Sequence, residues 1–357
     1  MKKKLIKNLV KYLLPFLLIF ALFTAFDPYD YWLLNGSPTY VSRSVSGMRE
    51  LLLTQPENIL LGDSRMANFN ADYIKQISGE DWCILAYGGA TLNENIKQFW
   101  YAAEHTTLKK VVFGVNFYNL NDNHYSEGRV DDAIETAENP LKFYGNFNIW
   151  LEMISNLRAK TQNKLADLTG NEDLRIFVDD PSSLTQDIQP PQEYDEETGY
   201  RENLKEYAEM INGYLSGYHG ALNYLDRFEE IIDYCDANGI EITFLIPNSN
   251  RTMWEMTVFQ LEIDDYIEIY KNRLKSRAIV YDMEFYNDYA LDDSLYYDCF
   301  HFMCSEKQHL MRVFFADEEC EYCIRTTPEE YLEMKENGTL PPLDWTDRTS
   351  SDGTEAE

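Results

Sequence analysis

Three short apolar runs, separated by sequence of helical period, constrain the fold of this chain more than any other feature. They cover 58–62 (Asn-Ile-Leu-Leu-Gly), 82–87 and 110–115, and they stop at Asp63-Ser64, Gly88-Gly89 and Asn116. The first is followed by helical sequence through Ile77. The second leads into a helix over 91–104, with Thr91 as N-cap and Glu94 closing a capping box. Apolar runs of strand length alternating with helices predict βαβ units and a parallel sheet. The alternation resumes late: a helix over 221–238 ended by Gly239, a strand over 240–246 ended by Pro247, a helix over 254–274, and a fifth strand over 278–282. The expectation is an α/β domain around a five-stranded parallel sheet.

Between the third strand and the helix at 221 lies an insertion, 117–220. Residues 140–167 read as helical, and 179–202 as an acidic loop with Pro181, Pro190 and Pro191. A loop this long is more than a connector in a compact domain, which argues for a lid or a partner-binding element. Ahead of the sheet, 27–40 is an aromatic, turn-rich link and 45–54 an amphipathic helix. The chain closes on polar, small residues that read as a disordered tail. The organisation expected is a basic stub, anchor and link over 1–34, one domain over 35–330, and an acidic tail over 331–357.

The leader has a direction. Lys2, Lys3, Lys4, Lys7 and Lys11 precede the apolar run 13–26, and acid first appears at Asp27 and Asp30. By the positive-inside tendency the lysines stay in the cytoplasm and the remainder is exported. The run reaches the roughly 20 residues of a span only if 5–10 join it, with Lys7 and Lys11 snorkelling to the headgroups. Phe23-Thr24-Ala25-Phe26 has only one good small residue for a signal-peptidase site, so an uncleaved transmembrane signal anchor is expected. A net charge of −30 repels phosphate backbones and excludes nucleic acid as a partner. Six cysteines in 357 residues are too few for a disulfide scaffold. Cys320-x-x-Cys323, near Cys299 and Cys304, admits a local disulfide or a four-thiolate zinc site, but free or locally paired thiols fit the spacing better.

Ligands of an open parallel sheet bind beyond the carboxyl ends of its strands. Here those ends carry a hydroxyl (Ser64), a glycine pair (Gly88-Gly89) and an amide (Asn116). Together they can supply a nucleophile and an oxyanion hole made of the Ser64 and Gly89 N–H groups and the Asn116 amide. Glycine at 89 leaves room for a tetrahedral carbon. A serine needs a base, and there are five histidines: His105, His124, His219, His301 and His309. Of these His301 has a carboxylate three residues earlier, Asp298, a spacing that lets the carboxylate orient Nδ1–H while Nε2 faces the serine. His105 reads as a surface residue and His309 as part of the last helix. His124 and His219 border the insertion. No cofactor and no metal are expected at this site.

Gly62-Asp63-Ser64, Gly89, Gly114-Val115-Asn116 and Asp298-Cys299-Phe300-His301 resemble, in order, the four blocks of the SGNH or GDSL hydrolases, over 58–116 and about 240–310. The resemblance implies a flavodoxin-like three-layer α/β/α domain, Ser64 as nucleophile, His301 as base, Asp298 as orienting acid, and Gly89 with Asn116 in the oxyanion hole. Two positions depart from the pattern: Phe117 stands where Asp is common, and Arg65 replaces the Leu of GDSL, which leaves the substrate open. A short anchor followed by such a domain is similar to the D-alanyl transfer protein of teichoic-acid modification and to exopolysaccharide acetyltransferase accessories. That similarity implies acetyl or D-alanyl transfer on or off a cell-surface polymer beside a multi-pass membrane acyltransferase. Hydrolysis by a carbohydrate esterase, and a non-catalytic scaffold in a membrane acylation complex, are the alternatives.

Overall fold

The computed structural model describes residues 2–34, 43–121, 128–176, 183–185, 194–197, 199–218 and 222–339. The first helix, α1, runs Lys2–Ala25 and is followed by α2, Arg43–Thr54. Strand β1, Asn58–Leu61, leads into α3, Ser64–Ala67, and α4, Ala71–Ser78. Strand β2 is Cys83–Ile84, α5 is Leu92–His105 and β3 is Lys110–Gly114. The insertion contributes α6 (Arg129–Glu138), α7 (Pro140–Gly145), α8 (Phe147–Thr169) and α9 (Glu202–Leu215). Then come α10 (Leu222–Asn238), β4 (Glu241–Ile246), α11 (Arg251–Met253), α12 (Asp264–Lys275) and β5 (Ile279–Asp282). The last elements are α13 (Asp288–Leu291), α14 (Cys304–Ala316), β6 (Ile324–Thr326) and α15 (Pro328–Asn337).

The sheet order is β2-β1-β3-β4-β5-β6, with every pair parallel except β5 with β6. Alternate residues of each strand enter opposite cores, because successive side chains point to opposite faces. Ile59, Leu61, Val111 and Phe113 pack with Phe99, Phe228, Ile267 and Leu274 of α5, α10 and α12. Leu60, Val112 and Leu245 pack with Ile74, Met311 and Phe314 of α4 and α14. Helices therefore cover both faces, which is why the strands read as continuous apolar runs and not as alternating ones.

The sheet has six strands, not the five expected. Ile324–Thr326 pairs antiparallel with the outer edge of β5, Val280 facing Thr326 and Asp282 facing Ile324. Three residues carry no period that could announce a strand; the free edge of β5 makes them one. Strand β2 is shorter than predicted, because after Leu85 N–H reaches Leu60 O at 2.9 Å the backbone leaves the ladder for the glycine turn. The helix expected over 254–274 breaks into a π-helical turn, Trp254–Val258, and α12. Glu262, at φ +53°, lies at the break. The helix expected over 140–167 is divided at Asn146, which ends α7 and caps α8. Residues 331–337, assigned above to the tail, belong to α15, which Thr327 and Glu330 cap reciprocally. Most of the acidic loop, and 340–357, lie outside the described residues.

Among the described residues no helix is long and apolar enough to cross a membrane. The side chains of α1 are described from Val10 onward. The transmembrane helix expected from the leader does not meet that measure over the described residues.

The foot of α1 is well packed. Phe23 is fully buried with Tyr29, Tyr31, Phe143, Ile149 and Met153, its ring 4.4 Å from Trp150. Asp27 accepts the N–H groups of Tyr29 and Tyr31, both at 2.9 Å, and burial still pushes its carboxyl up to about 6. Arg49 of α2 donates to Tyr31 O and Ala137 O, each at 3.0 Å. The start of the link is therefore a folded joint between α1, α2 and α6–α8.

Candidate active site

The winding of the sheet reverses between β1 and β3, and there the carboxyl ends of the strands open a crevice. Ser64 emerges from β1 at the first turn of α3, with Asp63 as N-cap. Gly62 adopts φ +152°, and a Cβ there would lie 2.5 Å from Met66 Cγ. A Cβ on Gly114, one strand over, would lie 2.1 Å from the same atom. Both glycines make room for the buried Met66, so the turn presenting Ser64 can sit tightly against β3.

His301 lies 237 residues further along and its Nε2 is 2.6 Å from Ser64 Oγ. Its Nδ1 meets Asp298 Oδ2 at 2.8 Å and Oδ1 at 3.0 Å. Asp298 Oδ1 also accepts the N–H groups of Phe300 and His301, at 2.8 and 2.9 Å. One carboxylate thus folds the loop and aims the imidazole. The Tyr297 ring stacks on His301 at 5.3 Å and 10°, and Tyr207 of α9 meets it edge-on at 6.0 Å. Asn203 of α9 donates to Tyr297 O. Both Asp298 and His301 are buried. Cys299, also buried, has its thiol pushed well up by that burial, which keeps it protonated and unreactive.

The amide of Asn116 is buried beside this pair and fully engaged. Its Oδ1 accepts Asn119 N–H at 3.1 Å; its Nδ2 donates to Asp63 Oδ2 at 2.8 Å and to Asn119 Oδ1. Both Nδ2 hydrogens therefore have acceptors, and donation to an oxyanion requires one to be shared or released. Asn119 Nδ2 in turn donates to Ala90 O at 3.1 Å. Asp63, Asn116, Asn119 and Ala90 form one hydrogen-bonded chain across the ends of β1, β3 and β2.

Gly89 adopts φ +64°, a left-handed conformation in which glycine has no steric cost. Arg129 of α6 holds its loop, with Nη2 donating to Gly89 O at 2.5 Å and Nη1 to Gly88 O at 3.4 Å. The same guanidinium pairs with Glu94 at 2.7 Å and lies 5.1 Å over the Tyr87 ring. Arg65 does not face the crevice entrance as a substrate residue would. It is buried, donates to Pro247 O at 3.2 Å and lies 5.0 Å over the Phe300 ring, joining β1, the end of β4 and the histidine loop.

Of the other histidines, His105 ends α5 with its ring stacked on Tyr101. His309 on α14 meets Glu318 at 3.0 Å. His124 and His219 lie outside the described residues. Among the described residues the six cysteines form no disulfide, and no group of three or more His, Cys, Asp or Glu is placed to hold a metal ion. Arg129, Asn119, Asn203 and Tyr207 were not anticipated. They are ordinary residue types in an insertion and a turn, and no local pattern in the sequence singles them out.

No known family model and no curated protein matches this chain.

Proposed function

We propose that this chain is an SGNH-type serine acyl-transfer enzyme of the cell envelope. In this reading it moves an acetyl or D-alanyl group onto or off a surface polysaccharide or teichoic acid through an acyl-Ser64 intermediate. The observation that carries the reading is the relay Ser64–His301–Asp298, with hydrogen bonds of 2.6 and 2.8 Å between residues far apart in sequence. In the first half-reaction Ser64 Oγ bonds to the acyl carbon while its proton passes to His301 Nε2. The tetrahedral oxyanion is met by the N–H groups of Ser64 and Gly89 and by the Asn116 amide. It collapses as the leaving group departs with the proton from His301. A polymer hydroxyl then repeats the sequence in reverse, and Ser64 regains its proton. Water in place of the hydroxyl makes the same site an esterase.

The basic leader and the apolar α1 support a single-pass membrane anchor with the domain on the extracytoplasmic side. A multi-pass membrane acyltransferase is the partner such an arrangement suits. Incubation of the full chain with an activated acetyl ester, followed by intact-mass measurement, tests the chemistry. One acetyl group retained on Ser64, absent in Ser64→Ala, is expected, together with a loss of turnover on the order of 10⁶. Unchanged turnover in Ser64→Ala would end the reading.

A further inference from the structure

Apart from the crevice, the molecule exposes a second organised feature, on the α7–α8 arm. Along α8 the residues Phe147, Leu151, Ile154, Leu165 and Leu168 fall on one face, because 100° per residue brings their spacing back to the same side. Leu141 of α7 stands beside its start. All are exposed, Leu141 by 84 %, Phe147 by 72 % and Leu168 by 76 %. The other side of α8 is buried, through Ile149, Met153, Ala159 and Ala166. A water-facing helix turns its polar face outward; this one turns out a run of leucine, isoleucine and phenylalanine.

We propose that this stripe lies in the headgroup–acyl boundary of a bilayer that carries acidic lipid, so that the domain rests on the membrane as well as being tethered to it. The proposal rests on the membrane-anchored reading above and is independent of the acyl chemistry. Three observations select lipid as the occupant. First, the arm adjoins α1, whose residues 13–22 are apolar and exposed around the helix, and whose Phe20 and Phe23 meet Tyr144 at 4.9 Å each. The end of α1 and the start of α8 therefore lie side by side, Phe23 being 4.4 Å from the Trp150 ring. Secondly, the joint is built of amphipathic rings: Trp32 donates to the Tyr144 hydroxyl and Trp150 to Tyr144 O. Tryptophan and tyrosine gather where a protein crosses the headgroup level. Thirdly, α8 carries three basic residues, Arg158, Lys160 and Lys164, against two acidic ones, Glu152 and Asp167. That net charge of 3 − 2 = +1 sits in a chain of −30, and Arg158 lies within the stripe itself. Positive charge flanking an apolar face is the pattern of helices that sink about 5–10 Å into an anionic interface.

The test uses the full chain with Cys320 and Cys323 replaced by Ser. An environment-sensitive fluorophore is placed on Leu151→Cys or, as control, on Lys335→Cys of α15. Each protein is reconstituted with phosphatidylcholine–phosphatidylglycerol vesicles, and flotation is scored separately. The expected result is that both proteins float, and that the label at 151 loses iodide quenching and is quenched by roughly half or more by a doxyl lipid, as interfacial depth requires. The label at 335 stays iodide-accessible. A floating protein whose label at 151 remains accessible to iodide overturns the seat while leaving the anchor intact. Failure to float overturns both. Protection at 151 that rises with protein concentration in detergent without lipid assigns the stripe to a second copy and also overturns the proposal. Acylation of Ser64, measured on the same samples, reports on the catalytic reading alone.

Discussion

Asp63 satisfies several donors at once. Its Oδ1 accepts Arg65 N–H at 3.0 Å, and its Oδ2 accepts Asn116 Nδ2 at 2.8 Å with the Arg65 guanidinium 3.6 Å away. The carboxylate therefore sets both the turn that presents Ser64 and the direction of the amide beside it. An oxyanion arriving near Ser64 is a second acceptor for an N–H already given to Asp63, so the strength of Asn116 as a donor depends on how far that bond yields. Asn116→Ala is expected to lower kcat on an acetyl ester by about 10² to 10³ with KM little changed, the loss typical of one oxyanion donor. Steady-state kinetics decide it. A loss under tenfold would mean that the amide stays with Asp63 and that the two backbone N–H groups do the work.

At the scale of elements, the insertion is built into the crevice wall. Helix α6 sends Arg129 to the glycine turn, α9 sends Asn203 and Tyr207 to the histidine loop, and Tyr218 just beyond α9 donates to Phe117 O at 3.0 Å. The glycine turn has few other means of holding its shape, since Gly89 is exposed and left-handed. Arg129→Ala is therefore expected to reduce kcat by on the order of 10 to 10² through misplacement of the Gly89 N–H. Added guanidinium should restore part of it, and Arg129→Lys should not, because one ammonium cannot reach both carbonyls and Glu94. A drop in melting temperature at unchanged kcat would make Arg129 a structural residue only. None of these contacts is visible as a pattern: each joins segments tens of residues apart through a side chain whose type is common on any helix surface.

For the whole molecule, the interior is acidic where it should be costly. Glu284 is fully buried after β5, against Tyr270, which donates to it, and near Lys271, whose Nζ reaches Glu284 O at 2.6 Å. Burial pushes its carboxyl up to about 7. Burial acts on Glu50 in the same direction, also to about 7. Between the ordinary glutamate range and pH 7 the native state then binds more protons than the unfolded chain, so stability falls as pH rises through that window and levels off above it. Glu284→Gln should flatten this fall by up to about 3 kcal/mol. Thermal unfolding at pH 5 and pH 8 measures it; an unchanged pH difference would show that Glu284 titrates normally.

The division between sequence and tertiary structure follows from range. Strand ends, caps and the Asp298–His301 spacing are local: they depend on period, on glycine and on a turn of a few residues. They locate Ser64, Asn116 and His301 without knowledge of what lies between. The strand order, the sixth strand, the closure of His301 onto Ser64 and the occupation of both Asn116 hydrogens are not local. They depend on which edge of β5 is left free and on which side chains three strand ends bring within hydrogen-bond reach, and that is decided only when both faces of the sheet are buried and the chain can no longer trade one partner for another.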